Sequence, residues 1–129
     1  MKYFLILLSL ICITIAGCGP KLQGFSGKVN YDGKPLPDGV ITFTPDAEKG
    51  NLMGASNLAV VKDGEYKLPV SQGISGGWYK VTVESSKWVE DGEDGGKEVH
   101  NIPPYNFSHE FKPEDKTLDI EIPVTKSKK

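Results

Sequence analysis

Histidines, carboxylates, cysteines and tryptophans are the side chains of this chain that can do chemistry, and their spacing limits which. His100 and His109 stand nine apart in a polar stretch, near Glu98 and Glu110. A metal centre needs three or four converging ligands at a recognisable spacing, and this pattern supplies none. Nucleophilic catalysis lacks its parts too. The two histidines are the only candidate bases. The run Asp91-Gly92-Glu93-Asp94-Gly95-Gly96 offers hard oxygen ligands for Ca²⁺ but not the EF-hand spacing, so a solvated acidic turn is expected. Solvation is the opposite of what carboxylates need for acid–base catalysis.

The aromatic residues are the better lead. By alternation Trp78 falls on a polar strand face with Lys80, Thr82 and Glu84, opposite Tyr79, and Trp88 follows ten residues later. Exposed tryptophans stack on sugar rings or anchor protein partners, which makes Trp78 and Trp88 candidate ligand-binding residues. The competing expectation is structural: Trp78 caps the open end of a core and Trp88 packs under the loop that follows.

Composition narrows the class of partner. The chain has 129 residues and a net charge of -2, and all 15 of its basic residues are lysine. Without arginine there is no guanidinium fork for phosphate, so nucleic acid is not an expected partner. The 15 glycines and nine prolines suit short strands and turns rather than helices.

At the N-terminus, Met1-Lys2 precedes the apolar run from Tyr3 to Ile15. A cationic start, an apolar stretch and small residues form the pattern of a secretory signal. The run is short of the ~20 residues that a transmembrane helix needs. It ends in Ile15-Ala16-Gly17-Cys18, which resembles the lipobox of bacterial lipoproteins. The resemblance implies diacylglyceryl transfer to the Cys18 thiol and cleavage between Gly17 and Cys18. Two or more acyl chains, at ~0.8 kcal/mol per buried methylene, meet the requirement for stable membrane anchoring. Cys12 would leave with the leader and Cys18 would carry lipid, so no disulfide is expected and the fold must rely on its core. Gly19 rather than Asp after the cysteine favours the outer membrane under the usual sorting rule.

The organisation expected is therefore a leader over 1–17, a lipidated cysteine and tether over 18–24, a β domain over 25–124 and a basic tail over 125–129. Phe25, Val29 and Tyr31 alternate with polar residues, as do Tyr79, Val81, Val83 and, near the end, Leu118, Ile120 and Ile122. Asp32-Gly33 and Asp63-Gly64 are hairpin signals. No segment has a helical period, and the stretch from Trp88 to Lys116 reads as long and irregular. The fold class expected is all-β, an antiparallel seven-stranded Greek-key sandwich with each sheet buried on one side.

The run from Gly27 to Pro45, together with Asp63-Gly64-Glu65-Tyr66, Gly77 to Val83 and Ile102-Pro103-Pro104-Tyr105, resembles the transthyretin-like sandwich of carboxypeptidase regulatory-like domains. More narrowly it resembles short lipoproteins of planctomycete-type bacteria. Pro104 and Glu114-Asp115 depart from that pattern in two loops. The hydroxyisourate hydrolase branch of that fold implies several histidines, an arginine and a Tyr-Arg-Gly-Ser ending. This chain has no arginine and ends in lysines, so that activity is not expected. The resemblance implies an accessory or adhesive module. The function expected is a non-enzymatic, lipid-anchored interaction or structural module of the cell envelope, without cofactor or metal. Its partners are the membrane, through Cys18, and an envelope protein or glycan. A carbohydrate-binding module using Trp78 and Trp88 is the first alternative, and a hydrolase using His100 or His109 beside a carboxylate is the second.

Overall fold

The computed structural model describes residues 21–85, 88–100 and 102–124, with side chains throughout these except at 88–90 and 98–100. The leader with Gly17 and Cys18, and the basic tail, lie outside the described residues. Strands follow one another in the order β1 (Leu22–Gln23), β2 (Phe25–Tyr31), β3 (Lys34–Pro35), β4 (Asp38–Pro45), β5 (Asn57–Lys62) and β6 (Glu65–Leu68). Then come β7 (Ile74–Ser75), β8 (Gly77–Glu84), β9 (Trp88–Asp91), β10 (Lys97–His100), β11 (Tyr105–Phe111) and β12 (Ile120–Ile122). The only helical segments among the described residues are two single 3₁₀ turns, Ala47–Lys49 and Val70–Gln72. The protein is all-β.

Turn chemistry fixes the two tightest hairpins. Asp32 and Gly33 both take positive φ, as do Asp63 and Gly64. This is the type I′ geometry whose twist matches the flanking strands. β2 thereby turns into β3, and β5 into β6.

The strands assemble into an eight-stranded sheet in the order β11-β8-β4-β5-β6-β2-β12, with β3 beside β2. Two small sheets, β1 with β7 and β9 with β10, stand apart from it. The large sheet curls on itself into a sandwich-like fold. β11 and β2 are five places apart in the sheet order, yet the rings of Phe111 and Phe25 lie 4.7 Å apart. Phe111 also meets Phe43 at 5.9 Å and Tyr79 at 5.7 Å, both edge-on. Edge-on packing is favoured because positive ring edges meet negative faces. Around these rings Val29, Leu36, Ile41, Val61, Leu68, Val81 and Val83 are buried. All but Leu36, which lies between β3 and β4, come from the apolar phase of a strand with period two, so one sheet face supplies most of the core.

Three features differ from the sequence reading. Leu22 and Gln23, expected in the tether, pair with Ser75 and Ile74. β12 runs parallel to β2 rather than antiparallel. The stretch from Trp88 to Lys116, expected to be irregular, contains the β9–β10 hairpin and the whole of β11, which pairs with β8 over all seven of its residues. Tyr105, Phe107, His109 and Phe111 occupy one face of β11 and Asn106, Ser108 and Glu110 the other, a period of two masked by flanking prolines and charges.

Candidate functional site

The outer face of β4, β8 and β11 carries the polar phase of those strands. Along β8 this phase is Trp78, Lys80, Thr82 and Glu84, while Tyr79 on the other phase is fully buried. On β11, Glu110 stands opposite Trp78, Ser108 opposite Lys80 and Asn106 opposite Thr82. Thr82 Oγ1 donates to Asn106 Oδ1 at 2.7 Å. Val40 and Thr42 continue the face onto β4, where they pair with Val60 and Leu58 of β5. Leu58 and Val60 are 57% and 63% exposed, so an apolar patch adjoins the polar one.

After Pro45 the chain folds back over this face. The 3₁₀ turn Ala47–Lys49 closes on Gly50, whose positive φ of 91° a side chain would strain. Two donors, the Asp46 N–H and Asn51 Nδ2, both reach the Trp78 carbonyl at 2.9 Å. The same loop sets Lys49 Nζ 4.1 Å from the centre of the Trp78 ring. Trp78 is therefore half-buried, with an ammonium over one face of its ring. Such a contact contributes about 0.5–1 kcal/mol at an exposed site, weak enough for a ligand to displace.

Beneath the turn, Asp46 is the one buried charged residue among those described, at 1% exposure. Its Oδ2 accepts from Ser108 Oγ at 3.3 Å. Oδ1 makes no hydrogen bond and has the Lys80 ammonium 4.0 Å away, too far for one. Lys80 turns instead to Glu48, at 3.2 Å. Asp46 thus gains a nearby opposite charge without a full complement of hydrogen bonds, a costly way to bury a carboxylate. Sequence reading missed Asp46, Lys49 and Ser108. The only local signal was an Asp directly after the proline that ends β4.

The other candidate residues do not join this cluster. Trp88 opens the separate β9–β10 hairpin, its backbone opposite His100, and the side chains of both lie outside the described residues. Strand parity puts His109 on the face of β11 opposite to Ser108, with its ring edge-on to Phe111 at 4.6 Å. Serine and histidine on this strand therefore cannot act together. In the hairpin turn Gly92 N–H bonds to the Gly96 carbonyl at 2.6 Å, leaving Asp91, Glu93 and Asp94 exposed. Lys34 and Lys97 line the same hollow as these carboxylates. No three metal-ligating side chains come together among the described residues.

No family model, curated protein or solved structure matches this chain.

Proposed function

We propose that this protein is a lipid-anchored, non-enzymatic interaction or structural module of the bacterial cell envelope, with a Greek-key sandwich of transthyretin-like type. The observation that carries the anchor is Ile15-Ala16-Gly17-Cys18, which closes the apolar run from Tyr3 to Ile15 behind Lys2. It implies attachment through Cys18 on the exported side of a membrane, at the outer membrane or on the periplasmic or cell-surface face. The outer sheet face supports the interaction role, because it sets the exposed Val40, Leu58 and Val60 beside Thr42 and Thr82 on neighbouring strands.

The test is the intact mass of the detergent-extracted protein, wild type against Cys18→Ser. A chain beginning at residue 18 with added acyl mass, lost in the variant, is the expected result. An unmodified chain released to the soluble fraction would overturn the anchor.

A second reading, carbohydrate binding, draws support from the half-exposed indole of Trp78. A sugar ring would have to displace Lys49 from that indole. Glycan titration should then change tryptophan fluorescence in the wild type and not in Trp78→Ala.

A further inference from the structure

β11 ends the large sheet, and its outer edge makes no backbone hydrogen bond among the described residues. The bare segment is bounded at both ends. Pro103 and Pro104 precede it. Beyond it, the Lys112 carbonyl accepts from Gln23 Nε2 at 2.9 Å and the Lys112 N–H donates to Asp115 Oδ2 at 2.8 Å. Between those limits Glu110 is the strand's one carboxylate, and the other usual safeguards of an exposed edge are missing. It holds no proline and no lysine, and its seven pairs with β8 run one to one without a bulge. A long, regular edge of this kind is a template for another strand.

We infer that the occupant is β11 of a second copy of this chain, paired antiparallel about a two-fold axis at Ser108. In that register Asn106 of each copy faces Glu110 of the other, Phe107 faces His109, and Tyr105 faces Phe111. The complementarity rests on groups the fold leaves unspent. Asn106 uses its Oδ1 on Thr82, and its Nδ2 has no partner among the described residues. Glu110 likewise makes no ion pair or side-chain hydrogen bond there. Two amide-to-carboxylate hydrogen bonds would form by symmetry, and no like charges meet. Tyr105 and Phe107 pack on the core yet stay half-exposed, because among the described residues no strand lies beyond them. A second β11 would cover them and extend the sheet across both copies. This association belongs to the folded domain and is independent of the lipid anchor.

Sedimentation equilibrium of the purified full-length protein, in density-matched detergent, tests the pairing. Wild type is expected at twice the mass of one chain, with Cys18→Ser dimerising equally well. Asn106→Glu places two pairs of like charges across the axis and should raise the dissociation constant about tenfold. Adding Glu110→Lys to that variant reverses one sign of each pair and should restore wild-type association, which also shows that the single variant folds. A single-chain mass for the wild type at all concentrations would overturn the inference. So would loss of the dimer in Cys18→Ser, or a dimer indifferent to Asn106→Glu.

Discussion

The two ends of the large sheet are finished by different physics. β12 has three residues and is followed by Pro123, and the charged Asp119 and Glu121 alternate with its isoleucines. Specific polar contacts hold it. Asp119 Oδ1 accepts from the Lys28 N–H at 2.8 Å, and Glu121 Oε2 accepts from Asn30 Nδ2 at 3.1 Å. Tyr66 donates its hydroxyl to the Leu118 carbonyl at 2.7 Å. At the other end β11 has seven residues and a full ladder to β8, and its anchor is the Phe111 ring among Phe25, Phe43 and Tyr79. One edge is short, charged and latched, which discourages further pairing. The other is long, regular and held from behind by aromatic packing, which leaves its outer side available. Stability and availability are thus supplied separately at β11, whereas at β12 the same polar groups serve to hold the strand and to protect it.

Removing the anchor of each edge should break this contrast in different ways. Phe111→Ala empties the centre of the aromatic cluster and should cost about 3–5 kcal/mol, read as a lower urea midpoint for the whole domain. A loss below about 1 kcal/mol would mean that β11 is held by its ladder alone. Gly27→Ala acts at the opposite edge. A Cβ there would lie 2.0 Å from the Leu118 carbonyl oxygen and 2.7 Å from its carbon, so backbone has to move. The expected cost is about 1–3 kcal/mol, as for other overpacked sites. Hydrogen exchange should accelerate at Leu118 and Ile120 while the β11 amides bonded to β8 stay protected. Equal acceleration at both edges would show that they open as one unit.

Much of this is legible in the sequence. Period-two alternation located β2, β8 and β12, and the Asp-Gly pairs placed both type I′ hairpins, because backbone sterics alone dictate those features. The same alternation puts Trp78 on the polar face, where the structure has it. β11 was hidden because His109 is an inward residue that reads as polar, and because Pro103, Pro104 and Pro113 crowd the strand and suggest a loop. The parallel pairing of β12 was not legible, since alternation reports which face a strand buries and not which neighbour it takes. Nor was the Asp46 cluster. Its members come from the 46–49 turn, β8 and β11, and only the return of the turn over the sheet brings Asp46, Lys80 and Ser108 together.

The smallest effect addresses the latch itself. Tyr66→Phe keeps the ring and removes the hydrogen bond to Leu118, at a cost of about 1 kcal/mol near neutral pH. Burial, and secondarily the negative charge of Asp119, push the Tyr66 hydroxyl well above its ordinary pKa of 10.0. The folded state therefore holds this proton more tightly than the unfolded chain does. The stabilisation is complete below the unfolded value near 10 and is lost as pH rises from there through the folded value. Urea unfolding at pH 8 and pH 11 should show wild type more stable than Tyr66→Phe at pH 8, with the gap narrowing at pH 11. A gap that stays constant would mean that the hydroxyl proton is not what holds Leu118. The β12 edge would then rest on Gly27 and the carboxylates, and the two edges would differ in length and charge alone.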